Sequence, residues 1–396
     1  MIKKIYNYVD FKSINSSVKY LSISAFLTGI ALGYFFTVIV ITQKLSGYSE
    51  STIGIVASSF SLGLVAAGFF VSKILAKIGL YKMLLLSVSI QTVSVLAMFI
   101  YFNPINLALC HLIMGIMGGM NWMTMDTWVN IVSNDKNRGK AIGLYNSSIS
   151  IGFAVGPLIV ALFGSQGLIP IILCLLLMII RMPALYIMKN HINNVKIPEQ
   201  INKINFSLVK IAPFIFIAIF IGGINDSSFG ALFPAFMINE QFTDRSIGFY
   251  FFVGAIGGVL SQPFVGALAD KVNKRKFLFS LLICHIIWPL LLFNFISIPL
   301  IIILSVIVWG FASVSIYTVA LAYLGERVSI KEISIATSVF IIIYEGGEFF
   351  GPIIVGLSMN QFGNPGFIYS ILFITIISLI LGIIRTIFKN NENKNY

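Results

Sequence analysis

The sequence is poor in charge, cysteine and histidine. Asp, Glu, Lys and Arg make up 10% of its 396 residues, against about 25% in a soluble domain. Its three cysteines, Cys110, Cys174 and Cys284, all lie in apolar runs, so neither a disulfide framework nor a metal site is indicated and no cofactor is expected. The patterns G-x-x-x-x-G-K-[ST], H-E-x-x-H and G-x-S-x-G do not occur. Their absence argues against a nucleotide-driven pump and against common hydrolases.

Apolar residues are abundant instead. They form 58% of the chain, the mean hydropathy is +0.96, and runs of about 20 apolar residues recur along the whole length. The pattern predicts an all-α membrane protein with twelve transmembrane helices. The predicted spans begin near Tyr20, Ile53, Lys82, Asn106, Ala141, Gly167, Leu208, Ile247, Phe277, Ile298, Ile333 and Gly366.

Basic residues predict the orientation. All of the 26 lysines and arginines except Lys44, Arg181 and Arg245 fall in the two tails or the even-numbered loops. Cytoplasmic segments carry the excess of Lys and Arg, so both termini are expected in the cytoplasm of a bacterial inner membrane. The net charge of +12 is then explained by basic residues that orient the chain at an anionic membrane surface. No nucleic acid partner is expected.

The chain repeats itself at an offset of about 194 residues. "SESTIG" (49–54) matches "TDRSIG" (243–248), and "GFAVGP" (152–157) matches "GEFFGP" (347–352). The repeat predicts two pseudo-symmetric six-helix halves, residues 1–188 and 208–396, joined by a polar cytoplasmic linker, 189–207. Parallel six-span halves with a midplane site are one layout of secondary transporters.

These motifs resemble the Major Facilitator Superfamily over essentially the whole chain. "GALADKVNKRK" (266–276) is similar to the superfamily's loop motif between spans eight and nine, and its first-half copy "SKILAKIGLYK" (72–82) has Ala76 where the family usually has Asp. "DTWVN" (126–130) and "WGFASVSIYTVALAY" (309–323) resemble bacterial YcaD-type members. The glycine-proline motifs resemble the span-five motif often seen in antiporters.

Ionisable residues inside spans are the main candidates for function. Glu345 lies about 12 residues into span eleven, roughly 18 Å from its cytoplasmic end and near the midplane. Glu348 is one turn further on the same face. Two carboxyl groups so close do not both ionise readily, so we expect one to carry a proton. The alternative is a structural hydrogen bond to a neighbouring helix.

Asp226 is the second candidate, at similar depth in span seven. Gly222, Gly223 and Asn225 beside it suggest a locally irregular helix that lines a cavity. The alternative for Asp226 is a capping or packing role at that irregularity. Aromatic and amide side chains complete the predicted binding set, because such walls suit a small organic ligand; part of the set could instead serve packing. Its members are Asn225, Tyr34, Trp122, Asn146, Trp309, Tyr317 and Tyr344.

A second group is expected to act in gating. The resemblance places Asp126, at the cytoplasmic end of span four, in a charge relay with the loop motif and so near Lys77 and Lys82. Asp270, Lys271 and Arg275 form the corresponding cluster after span eight. Weak exposed pairs of this kind can be exchanged between two conformations; the alternative is a topology signal alone.

The leading hypothesis is a proton-coupled secondary transporter for a small organic solute, working by alternating access. Its expected partners are the solute, protons and the lipid bilayer, and a monomer is expected. The alternatives are a membrane-embedded enzyme and a transporter-fold sensor. No catalytic residue or enzymatic activity is predicted.

Overall fold

The computed structural model describes residues 16–133, 138–189, 206–329 and 332–392. These residues form α-helices and contain no β-strand. Their fourteen α-helices are α1 (Ser16–Leu45), α2 (Glu50–Gly68), α3 (Val71–Ile78), α4 (Leu80–Ile100), α5 (Pro104–Val132), α6 (Arg138–Phe163), α7 (Leu168–Ile179), α8 (Arg181–Met188), α9 (Pro213–Asn239), α10 (Asp244–Ala269), α11 (Lys274–Phe295), α12 (Pro299–Arg327), α13 (Ile333–Phe362) and α14 (Gly366–Glu392).

The helices fall where the twelve spans are predicted. Among the described residues, eleven segments are long and apolar enough to cross a membrane, α7 and α8 together counting as one. The eighth predicted span is α10, which has 26 residues but is outside that set. Span seven begins later than predicted, at Pro213 and not near Leu208. Proline suits the first position of a helix and disfavours helical geometry in the residue before it, which explains the shift.

The first copy of the loop motif is partly helical. Residues 72–82 lie on α3 and the beginning of α4. α3 buries Val71 and Leu75 and exposes Lys73 and Lys77, so it is an amphipathic helix and not an open loop.

The repeated motif "S/T-acid-x-S/T-I-G" marks helix starts. The Ser49 hydroxyl accepts a hydrogen bond from the Thr52 backbone N–H, and the Thr243 hydroxyl accepts one from the Ser246 N–H, each at 3.3 Å. A hydroxyl in this position satisfies a backbone donor that the first helical turn leaves unpaired. The internal repeat therefore corresponds to the same capping arrangement before α2 and α10.

Contacts group the chain into two compact units. The first comprises the described residues of Met1–Val38 and Leu62–Ile201, and the second those of Ile39–Ser61 and Asn202–Tyr396. The end of α1 and the first part of α2 therefore pack with the second unit. The division into halves at a 189–207 linker rests on the sequence repeat and stays a prediction, and most of that linker lies outside the described residues.

Each unit has its own apolar core. In the first, a cluster around Trp128, Met83 and Tyr145 joins α1 to α6 and α8. In the second, a cluster around Phe340, Leu281 and Ile219 joins α9 to α13. Apolar packing alone does not determine how far apart two helices lie. Glycines determine where two helices come closest.

A close helix crossing lined by glycine occurs inside each unit. A Cβ atom on Gly29 of α1 would collide with the Ile149 carbonyl of α6, and one on Gly223 of α9 would collide with the Tyr344 carbonyl of α13. From the other side, a Cβ atom on Gly347 would collide with the backbone of α9. Small residues allow such backbone-to-backbone packing, as expected for the glycine-proline motifs.

The crossing of α9 and α13 provides a test with adjacent residues. Gly347→Ala is expected to reduce the free energy of unfolding by about 1–3 kcal/mol, because its methyl group meets the rigid backbone of α9. At Gly346 the nearest atom is a Phe220 ring carbon at 3.8 Å, an ordinary contact. Gly346→Ala is therefore expected to be neutral or slightly stabilising, since alanine favours a helix. Thermal unfolding midpoints in one detergent compare the two variants, and equal midpoints would contradict this account.

Candidate functional site

The candidate site is built on the crossing of α9 and α13 in the second unit. Asp226 follows Gly223 by three residues on α9, and Tyr344, Glu345 and Glu348 surround Gly347 on α13. Residues three or four apart share a face of a helix. Because Gly223 and Gly347 bring the two backbones into contact, acidic side chains from both helices meet beside the crossing.

Tyr344 connects the acidic residues. Its hydroxyl donates a hydrogen bond to Asp226 Oδ2 at 2.7 Å. The carboxyl group of Glu348 is within hydrogen-bonding reach of both Tyr344 and Glu345 and feels the charge of Asp226. We call Asp226, Tyr344, Glu345 and Glu348 the acidic cluster. The structure thus brings together the three acids that the sequence singles out from two separate spans.

The acidic cluster has no basic partner in the described residues. The salt bridges found there are Lys44–Glu50 and Lys274–Glu326. Oε2 of Glu345 is buried without a hydrogen-bond donor, although all four side chains of the cluster keep partial exposure. A carboxyl group in an apolar region needs a proton, a donor or a counter-ion. This arrangement can therefore take up a proton or a cationic group.

The acids are present in one half only. At the repeat offset, Asp226 corresponds to Leu32, and Tyr344, Glu345 and Glu348 correspond to Ile149, Ser150 and Phe153. The correspondence is also geometric, because Gly29 approaches Ile149 and Phe153 as Gly223 approaches Tyr344 and Glu348. The close crossing is shared by both units, so packing alone does not call for carboxyl groups.

The helix around Asp226 is regular, contrary to the sequence interpretation. α9 runs unbroken from Pro213 to Asn239, and its glycines serve contacts, with Gly222 facing Ile316 and Gly223 facing the α13 backbone. Asn225 is fully buried and donates from Nδ2 to the Ile221 carbonyl at 3.0 Å. Its Oδ1 has no donor in the described residues.

Two aromatic candidates lie on α12. The Tyr317 ring meets the Tyr344 ring edge to face, with centroids 5.3 Å apart, so Tyr317 adjoins the acidic cluster. Trp309 is stacked on Phe229 at a centroid distance of 3.6 Å and is 6% exposed. Phe251 also packs against it. Trp309 is thus part of an aromatic core in the described structure, and contact with a ligand would require rearrangement.

The remaining binding candidates belong to the first unit. Tyr34 is buried, and its hydroxyl donates to the Pro170 carbonyl at 3.3 Å. Trp122 and Asn146 are exposed. Trp122 lies within hydrogen-bonding reach of Asp126, as does Tyr145. Their binding roles stay predictions.

The gating candidates lie at helix ends. Asp126 faces Tyr145 and Trp122, while Lys77 and Lys82 are exposed and form no salt bridge among the described residues. The expected proximity of Asp126 to these two lysines is thus not seen as an ion pair, and the relay stays a prediction.

In the second unit, Asp270 is the exposed residue directly after α10, and Lys271 beside it is exposed. The Arg275 guanidinium lies over the Phe214 ring at 5.9 Å. The neighbouring Lys274 pairs with Glu326 of α12 at 2.6 Å. This pair joins α11 to α12, a contact absent from the predicted set.

Comparison with known proteins decides the family. The model of the Major Facilitator Superfamily matches residues 21–214 and again residues 215–395. The chain belongs to this superfamily. Its relatives include the uncharacterized MFS-type transporter YfkF of Bacillus subtilis (strain 168), 23% identical over 368 residues, or 90% of this chain and 93% of the relative. The uncharacterized MFS-type transporter YcaD of Escherichia coli O45:K1 (strain S88 / ExPEC) is 22% identical over 331 residues, 83% of each chain.

Solved structures agree on the superfamily fold. The crystal structure of the nucleoside transporter NupG matches with a TM-score of 0.75 at 14% identity, covering 93% of this chain and 98% of NupG. A bacterial homolog to the human lysosomal transporter Spinster, in an inward-facing and occupied conformation, matches with a TM-score of 0.71 at 13% identity, covering 96% of each chain. At such identities the likeness concerns the fold alone.

One polar cluster of this superfamily member was missed by the sequence reasoning. In the second unit, Lys44 and Glu50 form a salt bridge, and Asn239 donates to Glu50 Oε1 at 2.9 Å. Asn239 also donates to Asn364 Oδ1 at 3.1 Å. The cluster fastens the beginning of α2 to the end of α9. Lys44 gave a signal, because it is one of the few basic residues outside the two tails and the even-numbered loops.

The Tyr344–Asp226 hydrogen bond predicts coupled effects on stability. Tyr344→Phe is expected to reduce the free energy of unfolding by about 1–3 kcal/mol, because it leaves Asp226 Oδ2 without its donor. Asp226→Asn should change it less, because removal of an acid beside Glu345 and Glu348 offsets the altered hydrogen bond. The double variant should be less destabilised than the sum of the two. Thermal unfolding midpoints of the four proteins test this, with Tyr369→Phe, an exposed tyrosine ring, as a matched control. Strict additivity would show that the two groups do not interact.

Proposed function

We propose that the chain is a proton-coupled secondary transporter that moves a small organic solute across the membrane by alternating access. The observation that carries the proposal is the acidic cluster, which places three carboxyl groups beside a helix crossing without a basic partner among the described residues. Superfamily membership supports transport, and its relatives are named as transporters. We propose no enzymatic activity.

Proton coupling is proposed from the chemistry of the acidic cluster. Three neighbouring carboxyl groups in an apolar region repel one another when ionised, so the number of protons they hold depends on access to water. Alternating access would expose Glu345 first to one side and then to the other. Glu348 would share its proton, and Asp226, held by Tyr344, would adjust the charge of the cluster.

The solute is proposed to be neutral or cationic. An ionised carboxyl group of the acidic cluster repels an anion, whereas a protonated one offers a hydrogen-bond donor to a neutral solute. Tyr317 and Tyr344 would provide an aromatic wall beside the cluster. Asn225, Tyr34, Trp122, Asn146 and Trp309 are proposed as further contacts.

The remaining parts of the proposal concern topology. Residues 1–188 and 208–396 would form the two halves, with 189–207 as a cytoplasmic linker. Both termini would be cytoplasmic in a bacterial inner membrane, because basic residues concentrate in the tails and even loops. A monomer would suffice, since one chain carries both halves. Asp126, Lys77, Lys82, Asp270, Lys271 and Arg275 would act in gating.

The role of Glu345 can be tested after a solute is found by thermal-shift screening of the purified protein. In liposomes with an imposed pH gradient, Glu345→Gln is expected to abolish uphill accumulation, because the amide cannot exchange a proton. It should retain solute exchange when no pH gradient is present.

Glu332→Gln is the matched control, since Glu332 is exposed at the beginning of the same helix. This control variant should accumulate solute normally. If Glu345→Gln accumulates solute as the original protein does, Glu345 does not carry the coupling proton. Chemical conversion of the solute without flux would instead support the enzyme alternative.

Asp270 is expected to affect rate more than binding. Asp270→Asn removes an exposed charge beside a basic segment, so it should slow transport while the solute's thermal shift stays nearly unchanged. Transport rate and solute affinity are measured on the same preparations, with Asp244→Asn at the opposite end of α10 as a control. Loss of affinity at an unchanged rate would contradict a gating role.

A further inference from the structure

Arg181 is a buried cation in the first unit. It is the first residue of α8, just after the break that separates α8 from α7, and its side chain is 1% exposed. Its Nη1 donates to Gln91 Oε1 at 2.9 Å and contacts Met178 Sδ at 3.5 Å. Both of these partners are neutral. A guanidinium group stays protonated in proteins, so a positive charge is enclosed here.

Gln91 is held so that its oxygen faces Arg181. Gln91 is fully buried on α4, and its Nε2 donates to the Met114 carbonyl of α5 at 3.3 Å. Ser87, one turn earlier on the same helix face, is also fully buried, and its hydroxyl has no partner in the described residues. Gln91 and Ser87 thus form a buried polar strip on α4, and Gln91 links the guanidinium to the backbone of α5.

The first unit offers no counter-charge for Arg181 in its described residues. Asp126 is the one acidic residue there, and it is engaged with Tyr145 and Trp122. The other acidic residues of that unit, Asp10, Asp135 and Glu199, lie outside the described residues. An enclosed charge without a counter-ion is strongly destabilising. The chain has nevertheless placed it between neutral side chains.

The unused donors of Arg181 form one edge. Nε and Nη2 are buried without a hydrogen-bond partner. In a guanidinium group these two nitrogens are neighbours, and their N–H bonds point the same way. This edge binds a planar anion through two parallel hydrogen bonds, and a single halide can accept both.

We infer that the first unit binds a small monovalent anion on the Nε–Nη2 edge of Arg181, beside Gln91 and Ser87. The anion supplies the negative charge that the surrounding residues lack and satisfies the two free donors. The site is separate from the acidic cluster and does not depend on the proposed transport cycle. At the repeat offset, Gln91 and Arg181 correspond to His285 and Thr375, so the second half has no arginine at this place.

Chloride is the probe for a thermal unfolding test. The protein is purified in a non-ionic detergent, and sodium chloride replaces sodium gluconate at constant ionic strength. A ligand that binds only the folded state stabilises it by RT ln(1 + [L]/Kd), so the melting midpoint should rise by about 2–4 °C for each tenfold increase of chloride above its Kd. Acetate is titrated in the same way and distinguishes a carboxylate from a halide as the preferred anion. A logarithmic rise of the melting midpoint with the concentration of either anion supports the site.

Variants assign the effect to the residues. Arg181→Met removes the charge and is expected to abolish the anion dependence, and Gln91→Leu should weaken it. Arg245→Met, at an exposed arginine of the second unit, is the matched control and should keep the full dependence. Arg181→Lys provides a second variant that keeps the test decisive if Arg181→Met does not fold. It retains the charge without the two-donor edge and should shift the titration to higher chloride concentrations.

Direct binding completes the test. Equilibrium dialysis with radioactive chloride should give one saturable site per chain in the original protein and none in Arg181→Met or a weaker one in Arg181→Lys. A melting midpoint that does not change with either anion at constant ionic strength would overturn the inference. Unchanged dependence in Arg181→Met or unchanged affinity in Arg181→Lys would overturn it as well.

Discussion

Backbone contact between paired helices is the constraint on which the rest of the structure depends. In an apolar solvent the hydrophobic effect does not bring helices together, so close packing and polar contacts must do so. Gly29 permits this contact between α1 and α6, and Gly223 permits it between α9 and α13. Every side chain beside such a crossing is then fixed in position by two backbones. This rigidity makes the crossing suitable for holding groups that are costly to bury.

Acidic residues lie beside the close helix crossing of the second unit, and none lies at the corresponding positions of the first. Asp226, Glu345 and Glu348 stand where the first half has Leu32, Ser150 and Phe153. The glycine contacts are the same in both, so the acidic residues are an addition to a shared frame. Uncompensated carboxyl groups lower stability, and their presence on one copy alone is consistent with a function that needs them there.

The sequence predicts the positions of the helices better than the side-chain contacts between them. Apolar runs locate the helices, and the 194-residue repeat relates the two halves, because both signals are present along the chain whatever the helices contact. The membrane depth of Glu345 and Asp226, counted along their spans, stays a prediction. By contrast, the bond between Tyr344 and Asp226 and the packing of Trp309 against Phe229 depend on how helices rotate about their axes. Hydrophobicity on all sides of a buried helix leaves that rotation undetermined.

The two units also differ in the sign of their uncompensated charge. The described first unit encloses Arg181 among neutral groups, and the second holds the acidic cluster without a basic partner. A buried ion pair would stabilise each group but would also fix it in one charge state. Groups left unpaired by the protein remain able to exchange a mobile ion. For a chain in a transporter superfamily, the proposed exchange would explain why uncompensated charges are kept within apolar helices despite the loss of stability.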